Sequence, residues 1–528
     1  MTAAHALSAL LAFAQAHGLL APEDRPWARN LLLDALSYAA PPQPEDAAFA
    51  SPLPQTAAPL LAALCDDAAA RGAIADSPAR RELLSARLMG ILTPPPSAVA
   101  QGFTRIARAK GVQAATDWFY SLCRANNYIQ VDAIARNVRF FAPSDYGALE
   151  ITINLSKPEK DPRDIAALLG APSVGYPKCM LCVENEGYAG RLDYPARQTL
   201  RMLPISLCGQ AFHLQYSPYL YYPEHCIVLR DAHQPMAIGP HTFAQLLDFL
   251  WQFPHYFIGS NADLPIVGGS ILNHDHFQGG RHTFSMQQAP AYARTRHPDA
   301  SNVDVTLVRW PMTTLRLQSG DARALCALAE RVLACWRGYS DESADVLAES
   351  GGTPHNTITP IARRHGDTFT LDLVLRNNRA TPAHPLGLFH PHADLHHIKK
   401  ENIGLIEVMG LFILPGRLVG ELDALANYLT GARAMTPPQN DEALAQHWPW
   451  LQALAQTHGT QNSPGRAQEI LRQGLASVCA RVLADAGVFK LDTAGKAAMA
   501  RFLAAAGFAP PKAADGDQSQ SSSPISSM

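Results

Sequence analysis

Two histidines and a glutamine, His274, His276 and Gln278, stand at alternate positions within IVGGSILNHDHFQGGRH, residues 266–282, between the glycine pairs Gly268/Gly269 and Gly279/Gly280. In an extended chain, side chains two apart share a face. This spacing therefore predicts two imidazoles and an amide side by side, with Asp275 and Phe277 on the reverse. An imidazole keeps a large neutral fraction near pH 7 and can attack a phosphoryl group without a separate base. His276 is the expected nucleophile. The Gln278 amide can donate to non-bridging oxygens, the glycines allow close backbone approach, and Arg281 adds positive charge. The competing reading is a buried strand whose histidines are satisfied by internal hydrogen bonds.

Residues 177–191, PKCMLCVENEGYAGR, place Cys179 and Cys182 across a two-residue gap. That spacing lets two thiolates reach one tetrahedral ion, which makes half of a zinc site. The remaining ligands would come from His233, in LRDAHQPM, and from His274. A redox pair is the rival reading, although the strand, motif and long helix of a thioredoxin-like setting are not evident here. Two ordinary core cysteines are the third.

Together, HDHFQ, CMLCVEN, DAHQP and the later HPHADLHHIKKEN resemble the galactose-1-phosphate uridylyltransferases of the histidine-triad superfamily. The longer bacterial class II branch is the nearer likeness, over roughly residues 130 to 430. In class I members the active strand reads His-Pro-His-x-Gln; its second histidine becomes uridylylated and its glutamine binds the phosphoryl group. The resemblance thus implies His276 as the covalent nucleophile and Gln278 as its phosphate partner. It implies Cys179, Cys182, His233 and His274 as zinc ligands. Asp275 stands where class I has proline, and a carboxylate there could alter imidazole orientation and charge. Asn261 is expected near the nucleotide sugar, with Gly269 and Ser270 along the phosphates, although a loop asparagine more often forms a turn. His355, His390 and His392 resemble the histidines of a second, iron-type site in some class I enzymes. No acidic ligand for it can be placed, and exposed loop histidines are the favoured expectation.

The implied chemistry is a two-step exchange. His276 displaces glucose 1-phosphate from UDP-glucose, and galactose 1-phosphate then takes the uridylyl group to give UDP-galactose. No nicotinamide or flavin is required, and neither G-x-G-x-x-G nor G-x-x-x-x-G-K-[ST] occurs. Two alternatives stay open. A histidine-triad-type nucleotide hydrolase or phosphorylase would use the same histidine with water or phosphate as acceptor. A non-catalytic nucleotide-sugar or metal-binding protein would bind without turnover.

The chain has 528 residues, 47% hydrophobic and 17% charged, with a formal net charge of -3. Such a balance lacks the basic stripe of a nucleic-acid binder and suits two or three packed units. Nine scattered cysteines without an export signal read as reduced thiols in a cytoplasmic protein. The apolar run at residues 6–16 has no preceding positive charge and is short for a membrane span, so it reads as a surface-packed amphipathic helix. Class I relatives pair as dimers, so a homodimer is expected by resemblance alone.

These residues need a scaffold. Periodic Ala/Leu segments near 4–17, 24–38, 79–92 and 111–125 predict a helical extension over residues 1–128. Short β-rich runs then begin: LEITINLS, RMLPISL, FHLQYS and CIVLR, followed by a helix over GPHTFAQLLDFLWQF and a strand in HYFIGS. They place a nucleophile-bearing half at 129–300. A second half at 301–430 contains DVTLVRW, TLRLQ, a helix near 321–337 and a hairpin turning at RHGD. Helices are expected over 431–510 and a disordered tail over 511–528. The fold class is α+β with antiparallel sheets. The resemblance adds two histidine-triad-like half-units.

Overall fold

Proline and β-branched residues punctuate this chain, and the computed structural model follows them closely; it describes residues 1–43, 52–156, 175–269, 271–438 and 442–514. The fold is α+β, and antiparallel ladders build its hairpins and sheets among the described residues. The chain divides into two units that interleave in sequence. One holds Met1–Asn137, Asn154–Pro235 and Asn273–Arg281, and the other Val138–Ile153, Met236–Leu272 and His282–Met528.

The first unit begins with six helices: Ala3–Ala16, Arg25–Ala35, Ala58–Ala70, Pro78–Leu92, Pro96–Lys110 and Val112–Ala125. Thr2 and Ser77 accept hydrogen bonds from the first turns of their helices, so each start is capped by its own side chain. The sequence reading anticipates four of the six. Pro96–Lys110 escapes it because TPPPS looks like a break, yet a proline at the first helical position fits a helix start. The helix Ala3–Ala16 buries one face, Leu10 and Phe13 included, while His5, Ser8, Ala12 and Gln15 stay partly exposed along the other. Among the described residues no helix is long and apolar enough to cross a membrane.

This unit also carries a four-stranded meander ordered His276–Gly280, Cys226–Arg230, Gln210–Tyr216 and Leu203–Leu207. Leu229 lies opposite His276 and Ile227 opposite Gln278. Phe277 points the other way and stacks on Phe212, their centroids 5.7 Å apart. Such a pair adds about 0.5–1.5 kcal/mol beyond area burial. It pins the register of the histidine-bearing strand, since a one-residue slip would turn Phe277 out of the core.

The second unit contains strands Phe257–Gly259, Asn356–His365, Thr368–Asn377, Thr314–Ser319, Asp304–Val308, Ala291–Thr295 and Lys512–Ala513, adjacent in that order. Helices Pro240–Gln252 and Ala322–Gly338 pack on this sheet, and Trp336 donates from Nε1 to the Thr357 carbonyl at 2.9 Å. Val138–Ser144, Gly147–Asn154 and Leu411–Pro415 form a separate three-stranded sheet. The stretch 401–430 resolves into a short helix Leu405–Val408, that last strand and a helix Leu418–Leu429. Helices Trp448–His458, Pro464–Ala486 and Thr493–Ala505 follow. Lys512 and Ala513 still pair with Arg294 and Ala293, so regular structure runs past residue 511; the tail 515–528 lies outside the described residues.

Candidate functional site

The strand of the histidine motif is shorter than its alternation suggests. It spans His276–Gly280, and His274 sits in the bend before it. The difference matters because the two imidazoles then serve separate centres. His276 and Gln278 remain two apart on one strand and share a face, while His274 turns toward the cysteine loop.

The His276 ring is buried at 5% exposure, and its Nδ1 lies 2.8 Å from the His274 carbonyl oxygen. A carbonyl only accepts, so Nδ1 must carry the proton. Nε2 is thereby left with its lone pair, and it makes no hydrogen bond among the described residues. Burial lowers the His276 pKa and keeps the ring neutral near pH 7. Asp275, the residue in place of proline, is buried and turned to Arg230, which donates from Nε at 2.9 Å.

Gln278 is half-buried, and its Oε1 lies 3.2 Å from Nε2 of His225. His225 immediately precedes the neighbouring strand, and Tyr221 and Tyr222 flank its ring. Its Nδ1 is buried without a hydrogen-bond partner among the described residues. An orphaned N–H is the rarer and costlier state, so the proton belongs on Nε2, which donates to Gln278. The glutamine oxygen is then occupied and its NH₂ remains as donor. Sequence reasoning missed His225, since YYPEHC carries no motif. At the strand's end, a Cβ on Gly280 would come within 2.7 Å of the Glu224 carbonyl oxygen, so this position admits only glycine. Arg281 is shared between Glu224 and Asp117, the latter at 2.5 Å, so carboxylates already balance its charge.

Cys179, Cys182, His233 and His274 converge, with one ligand atom from each lying within 4.8 Å of the others. The sulfurs are 3.5 Å apart; Cys179 Sγ is 3.2 Å from His274 Nδ1, and Cys182 Sγ is 3.1 Å from His233 Nδ1. A tetrahedral ion at ordinary Zn–S and Zn–N lengths needs ligand atoms roughly 3.3–3.8 Å apart. The donor set fits a metal ion. His274 Nε2 donates to the Arg230 carbonyl at 2.7 Å, which aims Nδ1 at the thiols. Burial, then the neighbouring Cys179, pushes the Cys182 thiol up to about 12. A cation among the four would reverse that penalty by favouring both thiolates. Asn185 holds the loop by donating to the carbonyls of Cys179 and Cys182, both at 2.8 Å, and accepts from Tyr194 Oη.

In the second unit, Asn261 is buried, and its Oδ1 accepts from the Leu405 amide at 2.8 Å. A Cβ on Gly269 would meet Asn261 Nδ2 at 2.5 Å, so these two expected substrate residues are packed together. Ser270 lies outside the described residues. His355, His390 and His392 form no grouping of metal-ligand type among the described residues. The first two are buried, which corrects the expectation of exposed loop histidines.

Residues 57–235 match the family described as galactose-1-phosphate uridyl transferase, N-terminal domain, and residues 250–450 match its C-terminal domain. The first match begins at residue 57 and so takes in helices that the sequence reading sets apart as an extension. A galactose-1-phosphate uridylyltransferase of Caldanaerobacter subterraneus subsp. tengcongensis is 48% identical over 518 residues, covering 96% of this chain and 98% of that one. The Bacillus subtilis protein of the same name is 46% identical over 96% of this chain and 98% of its own length. That of Lacticaseibacillus casei is 50% identical over 86% of this chain and 92% of its own.

Proposed function

Because the chain belongs to the galactose-1-phosphate uridyl transferase family, we propose that it moves the uridylyl group of UDP-glucose to galactose 1-phosphate through a covalent bond to His276 Nε2. The observation that carries the covalent step is the hydrogen bond from His276 Nδ1 to the His274 carbonyl, since it leaves one ring nitrogen unprotonated and, among the described residues, unpartnered. That nitrogen attacks the α-phosphorus, an N–P bond forms, and the bond to the glucose 1-phosphate oxygen breaks. The uridylyl-imidazolium that results carries positive charge, and the His274 carbonyl stabilises it through the same hydrogen bond. A galactose 1-phosphate oxygen then attacks the same phosphorus and releases the histidine. Each step is an easier displacement than direct exchange.

Gln278 supports this reading with an amide whose oxygen is held by His225, so that its NH₂ is presented as donor to the phosphoryl oxygens. Asn261 is assigned to the nucleotide sugar, with Gly269 and Ser270 along the phosphates. Arg281, already shared with two carboxylates, chiefly braces the strand's end. Zinc is the metal the two-cysteine, two-histidine set suits, with no open position for substrate; when bound it ties the Cys179 loop to the bend before the active strand. Nine free thiols suit a cytoplasmic setting.

Incubation with UDP-glucose alone followed by intact mass measurement tests the mechanism. One added uridylyl group is expected, lost on adding galactose 1-phosphate and absent in His276→Ala. Wild-type protein that turns over while remaining unmodified would refute the covalent step. Release of UMP to water at a comparable rate would favour the hydrolase reading.

A further inference from the structure

The second unit contains a hydrogen-bonded series that uridylyl transfer does not use. Ser350 Oγ lies 2.7 Å from His355 Nε2, and His355 Nδ1 lies 2.8 Å from Asn378 Oδ1. Asn378 Nδ2 in turn faces the Pro265 carbonyl oxygen at 3.3 Å. The direction of every bond follows from that last one. A carbonyl only accepts, so the asparagine NH₂ faces Pro265 and its oxygen faces the histidine. The oxygen accepts, so His355 carries its proton on Nδ1. Nε2 is left with a lone pair and accepts the proton of the Ser350 hydroxyl. This is the order nucleophile, base and orienting amide.

The surroundings suit that order. His355 and Asn378 are buried at 6% and 7% exposure, and the Asn378 amide is bonded to the His355 carbonyl at 3.1 Å. Ser350 is exposed, at the end of a short strand that turns through Gly351 and Gly352 to Thr353. Both glycines have positive φ, +57° and +81°, and a Cβ built on either meets no atom within 4 Å. Their amide N–H groups, one and two residues on from Ser350, have no backbone partner among the described residues. The base is thus fixed and sheltered, while the nucleophile is free to meet a ligand.

We propose that Ser350, His355 and Asn378 form a second nucleophilic centre, which hydrolyses short-chain carboxylic esters. Ser350 Oγ attacks the ester carbonyl carbon as its proton passes to His355 Nε2. The tetrahedral oxyanion is met by the amides of Gly351 and Gly352. The alkoxide leaves with the proton from Nε2, giving an acyl-serine and an alcohol. Water, deprotonated by the same nitrogen, then cleaves the acyl-serine to a carboxylic acid and restores the hydroxyl. An unwalled turn accommodates small acyl groups and imposes little selection on the alcohol.

The test uses the full chain, p-nitrophenyl acetate as substrate and a fluorophosphonate as covalent probe. The expected result is a probe adduct mapped to Ser350 and ester turnover lost in Ser350→Ala, with uridylyl transfer in that variant unchanged as the control for folding. His355→Gln should lower ester turnover at least 100-fold. Asn378→Asp keeps an acceptor opposite Nδ1 and should retain activity within about tenfold of wild type, whereas Asn378→Leu should not. A probe that leaves Ser350 unmodified, or a Ser350→Ala variant with wild-type ester turnover, overturns the proposal.

Discussion

Replacing His225 by leucine separates two consequences of one buried ring. Burial lowers the His225 pKa to about 4, although its bond to Gln278 opposes the shift, while the unfolded chain should show the ordinary value near 6.5. Between those two values the unfolded state binds a proton that the folded state refuses. The folded protein therefore loses stability as pH falls through this window. At pH 5 the difference is worth about 2 kcal/mol, against a few tenths at pH 7. His225→Leu should abolish this component, so its stability relative to wild type, from urea unfolding, should improve by about 2 kcal/mol between pH 7 and pH 5. The second consequence is catalytic. Without the donor to Oε1 the Gln278 amide can rotate, and losing one aligned hydrogen bond of about 0.5–1.5 kcal/mol lowers kcat roughly 2- to 13-fold. His225→Gln, which can still donate, should recover part of that loss. A variant whose stability tracks wild type at both pH values would refute a neutral buried His225. An unchanged kcat would refute its role in orienting Gln278.

Two further perturbations probe the scaffold. Cys182→Ala removes one of four converging ligands, and elemental analysis should show metal content falling from one equivalent toward zero, with a lower Tm; equal metal in both proteins would exclude this cluster as the site. Phe277→Ala deletes a fully buried ring stacked on Phe212 beneath the active strand, and a loss of about 3–5 kcal/mol is expected by chemical denaturation.

The site was legible in the chain where chemistry depends on spacing along it. HDHFQ places His276 and Gln278 on one face by alternation alone, and Cys179 and Cys182 reach a common point because two residues separate them. The α+β class was equally open, since the runs at 203–207, 210–216 and 226–230 and the 356–377 hairpin alternate and turn locally. Resemblance to a family supplied further expected site residues, including Asn261.

Tertiary structure decided what depends on partners distant in sequence. The side-chain alternation placed His274 beside His276 on one strand; the fold bends the backbone before His276, because the Arg230 carbonyl and the cysteine loop both bond to the His274 ring. The same bend brings the His274 carbonyl to His276 Nδ1 and so leaves Nε2 as the unprotonated nitrogen. His225 carries no signal of its own, because its role comes from an adjacent strand 53 residues away that sets it against Gln278. The Ser350–His355–Asn378 series is hidden for the same reason, with Asn378 reaching His355 only through the hairpin pairing. Local sequence specifies which side chains can do chemistry; long-range pairing sets the tautomer, the orientation and the company of each.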